Sequence, residues 1–307
     1  MTAAWVAVGV RATAMRRRRL GLPATLTLAA CPSLGTALQV LVDGPYGHDV
    51  RTDQSLGQAQ RAVVETLVWN LRVLAGWAPR DGVVLLRALA APIEAIVIDE
   101  HLRRSAGGSA PPPYRLGALA TAWPRLASAT DPTGLRRALA RSAWGDPGSD
   151  DRHEISVAVR LSVAERISVE VPDARRWAAG AAALVLAREL GFRSAPPSAR
   201  VRFLASRVLG PAAGAAGSFG ELRTVLPTTA RWALDEVAEP EQLWRAETAW
   251  WAQVDRDAAG LARQGGTDAR ALVGTVGRLA VDAWRVRGAL ELAARGGRVV
   301  EDFDAVA

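Results

Sequence analysis

An all-α fold follows from three features of this sequence. Apolar residues recur at helical spacing in stretch after stretch, capping residues and Gly/Pro stops bound those stretches, and no two alternating runs are joined by a hairpin turn. Half of the 307 residues are hydrophobic, enough to bury a substantial core in one large helical body or two small ones.

Residues 3–19 read as a helix with Arg16–Arg19 at its C-terminal end, where positive charge complements the helix dipole. The order Arg16–Arg19, Leu20–Ala30, Cys31 is also that of a lipoprotein signal, with Leu28-Ala29-Ala30-Cys31 as the lipidation box. Apolar residues before the arginines (Trp5, Val6, Val8, Val10, Met15) and the diluting Pro23, Thr25 and Thr27 argue against it. Cys31 then reads as a small buried residue, and as the single cysteine it forms no internal disulfide, in keeping with a reducing cytoplasm.

A short helix ending in an aromatic-glycine turn occurs twice, as Pro32–Gly47 and Asp131–Gly145. Tyr46/Trp144, Leu41/Leu139, Leu28/Leu126 and Gly47/Gly145 share one offset, and Arg115-Leu116-Gly117 echoes Arg19-Leu20-Gly21. In each copy a Pro is placed to open the helix and a Gly after the aromatic to close it. Between the copies, Ser55-Leu56-Gly57-Gln58 is a capping box, followed by the stripe Val63, Leu67, Leu71 and Leu74, with Gly76 and Pro79 as stops. A further helix carries Val83–Leu89, is interrupted at Pro92 and resumes through Ile93, Ile96 and Ile98 to Arg104; Ser105–Pro113 is a connector.

Beyond Gly145, Ile155–Val171 fits both strand alternation and a helical step of four, and its helical surroundings favour helix. Trp177–Gly191 is an Ala-rich buried helix, and Gly210–Gly220 reads as the most flexible loop. Leu222–Leu226, Trp232–Val237, a long helix from Glu241 and a last one from about Asp268 to Arg295 complete the chain. The longest strongly apolar run, near Trp177–Ala187, falls short of the roughly 20 residues of a membrane span, so a soluble or peripheral protein is expected.

Catalytic constellations are missing from the pattern. His48, His101 and His153 are scattered singly, without metal-ligand spacing, and His153-Glu154 reads as a solvated pair. The glycines of Gly214-Ala215-Ala216-Gly217 follow no strand, and there is no phosphate-loop or nucleophile-elbow motif. Glu94 and Asp99-Glu100 are poorly spaced to share a helical face. The 11 Trp read mainly as core. The net charge of +7 comes with no Lys at all, and outside Arg16–Arg19 the arginines are scattered among 31 acids. That distribution describes solvated faces and argues against a nucleic-acid footprint.

A resemblance rests on particular residues: an N-terminal helix with Trp5 and Arg11-Ala12, then basic residues and Leu20; the unit Leu38, Leu41, Tyr46, Gly47; Asn70 followed by Leu71-Arg72; and the second unit, Leu135 to Gly145. On these the chain resembles the central-stalk family of V/A-type rotary ATPases (the C-type stalk component of archaeal and bacterial enzymes, the d-type component of vacuolar ones), in an actinobacterial-like branch. The aspartate that the family motif places before Asn70 is Leu67 here, and a third repeat is hard to find in Leu222–Val237.

The resemblance implies one central-stalk C/d-like domain over residues 1–307, a funnel-like body of repeated helical lobes near 1–104, 105–200 and 201–307. It further implies a non-catalytic structural component of an ATPase complex, with no catalytic residue, no cofactor, no metal and no small-molecule substrate. Its expected partners are the rotor shaft subunits D and F and the membrane proteolipid ring, coupled for ATP-driven or ATP-forming proton or ion transport. Its expected place is cytoplasmic, peripheral on the membrane's cytoplasmic face. The competing reading is an Arg-rich helical binding or regulatory protein meeting nucleic acid or another protein.

Overall fold

A computed structural model describes residues 2–264 and 266–297, and every regular element among them is helical. In chain order these are α1 (Ala3–Arg18), α2 (Gly21–Ala29), α3 (Leu34–Val42), α4 (Leu56–Trp77) and α5 (Arg80–Arg104), then the short α6 (Trp123–Leu126) and α7 (Pro132–Ala140). There follow α8 (Arg152–Glu170), α9 (Arg175–Phe192), α10 (Ala199–Leu209), α11 (Pro211–Ala215), α12 (Phe219–Val225), α13 (Thr228–Arg231), α14 (Leu243–Gln264) and α15 (Ala269–Ala294). None of the described helices is long and apolar enough to cross a membrane. Packing divides the chain into two units. One holds the residues up to Leu86 and those from Trp251 on, the other Arg87–Trp250, so both divisions fall inside long helices, α5 and α14.

In the first unit α15 is the central element, with α1, α2, α3 and α4 packed on it. Its sequence explains this position: Ala, Val, Leu and Gly occupy most of 271–293, and residues on nearly every side are buried. A helix apolar all round belongs in the interior. Small residues let neighbours come close: a Cβ on Gly274 would lie 2.6 Å from both Ala258 O and Ala262 N. Leu28, Leu38, Leu41, Val63, Val286 and Leu290 fill the core of this unit. Each contributes about 1.5–3 kcal/mol by leaving water. Cys31 is buried beside them.

In the second unit α8, α9 and α10 pack together, and the Ala-rich face of α9 meets α12 and α13. Gly180 faces Trp232 and Trp250, which would lie 2.7 and 2.8 Å from an added Cβ, and Gly191 lies under Pro240. Gly191 therefore stands inside α9, which continues to Phe192. The dual pattern at Ile155–Val171 resolves as helix, N-capped by Asp151 on Glu154 N.

Several expectations are corrected. Pro92 does not interrupt its helix: α5 is continuous across it. Proline forfeits one amide and crowds the preceding turn, at about 3 kcal/mol, but Leu86, Ala88, Ala90, Ala91, Val97 and Ile98 are all buried and outweigh that. Gly210–Gly220 is not one loop: Pro211–Ala215 is α11 and α12 begins at Phe219, with only residues 216–218 connecting them, and Gly214 is required by Arg202 O, 2.7 Å from an added Cβ. Trp232–Val237, for which the sequence set no element type, forms turns. The aromatic-glycine turns lie past the helix ends at Val42 and Ala140, and the first copy is opened by Ser33 as N-cap, with Pro32 outside it. The tryptophans divide: Trp123, Trp144 and Trp177 are buried, Trp69, Trp77 and Trp244 are exposed, and the others are half-buried.

The repeated unit occurs three times, not two. Leu20-Gly21, Leu116-Gly117 and Leu209-Gly210 each end in a glycine with positive φ (77°, 57° and 90°), a conformation that a Cβ disfavours. Each leads to a short helical stretch and then to an N-cap, Ser33, Asp131 or Ser218, whose side chain accepts from the backbone N–H three residues on. An aromatic-bearing turn follows, with Tyr46, Trp144 or Trp232, and then a long helix: α4, α8 or α14. The third copy is not contained in Leu222–Val237, because it starts well before that stretch, at Leu209.

Candidate functional site

Two buried carboxylates hold the first two copies in place. Asp282, in mid-α15, accepts from Gly21 N at 2.7 Å, from Leu20 N at 3.1 Å and from Tyr46 Oη at 2.9 Å. Burial, followed by the Asp282 charge and hydrogen bond, holds the Tyr46 phenol well above its ordinary pKa. Glu94, in α5, accepts from Ala122 N at 2.7 Å and Trp123 N at 2.8 Å, and also from Thr121 N. Its fourth donor is the indole of Trp144, at 3.3 Å. The same device is thus built twice: a carboxylate on a long helix receives the backbone amides at the start of a short helix, α2 or α6, and the aromatic that closes the unit. In the third copy the aromatic, Trp232, donates to Thr229 O and rests over Gly180 of α9.

Chemically these carboxylates are clasps. A buried carboxylate is tolerated when hydrogen-bond donors compensate its lost hydration, and here every donor is part of the fold. Sequence spacing could not pair Glu94 with the loop after Gly117. A signal was nonetheless present: a single acid inside an apolar helical run, as in Ala90–Ile98 and Leu279–Trp284, is the pattern of a buried group with a dedicated partner.

The residues weighed for chemistry have local partners. His101 Nε2 lies 2.7 Å from Ala129 O with its ring edge-on to Trp123, and His48 stacks on Trp69 with Nδ1 2.8 Å from Asp49. His153 and Glu154 do not form a pair. His153 Nε2 meets both Glu189 oxygens, at 3.0 and 2.8 Å, while Glu154 accepts from Ser198 Oγ at 2.6 Å. Asp99 pairs with Arg160 at 2.8 Å, away from the Glu94 clasp. Among the described residues no group of three or more His, Cys, Asp or Glu could hold a metal ion.

A groove of about 480 Å³ opens in the first unit beside the Asp282 clasp. One wall is an α1 face, Arg11, Ala14, Met15 and Arg18, and the other an α4 face, Thr66, Trp69, Asn70 and Val73. Both sets follow i, i+3, i+4, i+7 spacing, the stripe that one side of a helix presents. Asn70 therefore faces this groove. No family model matches the chain, and no curated protein matches it.

Proposed function

We propose that the chain is a non-catalytic central-stalk subunit of a V/A-type rotary ATPase, coupling the D–F shaft to the proteolipid ring in ATP-driven or ATP-forming ion transport. The observation that carries this reading is the threefold recurrence of one helical unit, two copies of which are clasped by buried carboxylates. A coupler passes torque only if its body resists deformation, and interiors packed to crystal-like density with satisfied polar groups supply that resistance. The resemblance in Trp5–Leu20, Leu38–Gly47, Asn70–Arg72 and Leu135–Gly145 supports the family over other helical scaffolds. The arginines weigh against a nucleic-acid role: Arg136, Arg160, Arg188, Arg207, Arg278 and Arg285 are each engaged with a carboxylate.

The test is affinity purification of the tagged chain from a detergent extract of its host. Recovery of ATPase catalytic subunits together with a proteolipid, in amounts comparable to the bait, is expected. Recovery of the bait without them from cells that express the ATPase overturns the proposal.

A further inference from the structure

The groove between α1 and α4 brings three arginines together. Arg11, Arg18 and Arg19 all line it, and none of the three lies within ion-pair distance of a carboxylate among the described residues. The one acid in the lining, Asp282, already accepts three hydrogen bonds from Leu20, Gly21 and Tyr46. Arg11 is oriented by stacking on Trp77, 3.7 Å from the ring centroid, and Arg19 by donating to Arg16 O at 2.7 Å. Arg18 is exposed and unengaged among the described residues. Burial, then Arg278, lowers the pKa of Arg19, against the opposing pull of Asp282 and Asp255.

The opposite wall is flat and aromatic. Trp69 is 39% exposed, with His48 stacked at a centroid distance of 4.6 Å, and Asn70 adds an amide with both donor and acceptor capacity. Guanidinium forks match the geometry of phosphate oxygens, and an exposed indole offers a stacking platform. At about 480 Å³ the groove is within the range of small-ligand sites.

We propose that this groove binds a small phosphorylated molecule carrying a planar ring, of the size and chemistry of a nucleoside monophosphate. The phosphate lies against Arg11 and Arg18 with Arg19 behind it, and the ring stacks against the His48–Trp69 pair with its polar edge toward Asn70. This site goes beyond the coupling role and does not depend on it.

Isothermal titration calorimetry of the full chain with AMP, inorganic phosphate and adenosine tests it. AMP is expected to bind saturably at one site, phosphate to compete more weakly, and adenosine to bind weakest. Arg18→Ala removes a side chain with no partner among the described residues, so folding is retained, and is expected to weaken AMP roughly tenfold, the loss of one charge-assisted contact. Arg103→Ala, an exposed site in the other unit, controls for net charge and is expected to change nothing. Absence of saturable AMP binding at millimolar concentration overturns the proposal. So does equal weakening by Arg18→Ala and Arg103→Ala, and equal affinity for AMP and phosphate removes the stacking half of it.

Discussion

Replacing Asp282 by Ala removes the acceptor shared by Leu20 N, Gly21 N and Tyr46 Oη, and the geometry sets the size of the loss. A buried donor left without a partner costs about 1–3 kcal/mol. Tyr46 is 5% exposed, so its hydroxyl bears that cost in full. Leu20 and Gly21 are half-buried, and water recovers part of theirs. The expected total is about 3–5 kcal/mol, a large share of the roughly 5–15 kcal/mol that holds a domain together. The chain packs as two units, so urea unfolding should be followed by far-ultraviolet circular dichroism and tryptophan fluorescence together, and the loss read from the transition that moves. Tyr46→Phe alone should cost about 1.5–3 kcal/mol, the worth of a hydrogen bond to a charged acceptor. In the Asp282→Ala background it should cost much less, because the hydroxyl has already lost its partner. If Asp282→Ala stays within about 1 kcal/mol of the parent, or if the two substitutions add, Asp282 does not clasp the first unit.

Three further outcomes follow from the same geometry. The Tyr46 phenol is held well above its usual pKa of 10.0, so its contribution is whole below pH 10 and declines above it, where the unfolded chain ionises first; the stability gap between parent and Tyr46→Phe should narrow as pH rises past 10, and a constant gap would count against the buried phenol. Gly180→Ala sets a Cβ 2.7 Å from Trp232 and 2.8 Å from Trp250, and should destabilise by about 1–3 kcal/mol, read as a lowered melting temperature; an unchanged one would show that the indoles shift freely. Cys31 is buried, and burial raises its thiol pKa, so Ellman's reagent should label the native protein far more slowly than the urea-unfolded one; equal rates would contradict the packing around α2.

How much of this could be read in the residues varies with the range of the interaction. Helix class and most boundaries are local properties: the capping box at Ser55 and the cap at Asp268 each act within one turn, and both stand where the pattern put them. The errors arise where distant packing overrules a local rule. Pro92 breaks a helix in isolation, and here the buried residues around it keep α5 continuous. Glycine density at Gly210–Gly220 signals flexibility in isolation, and here Gly214 marks a close helix approach. Gly180 and Gly191 belong to the same category: their small size serves neighbours more than fifty and nearly fifty residues away in sequence, which no window of local residues contains.

The candidate site was less legible than the fold for the same reason, taken one step further. A clasp is a relation between a carboxylate and amides 27–29 residues away for Glu94, or 261 and 262 residues away for Asp282. Spacing rules reach one helical turn and could only discard Glu94 as a poor partner for Asp99-Glu100. What the residues did carry was the repeat, and the repeat is what makes the two clasps comparable. Tyr46 and Trp144 share an offset in sequence, and each donates to the acid of its own clasp. Two different aromatics on two different acids preserve one geometry. What the two copies share is therefore the hydrogen-bonded connection between the short unit and its long helix, not the identity of the side chain that makes it.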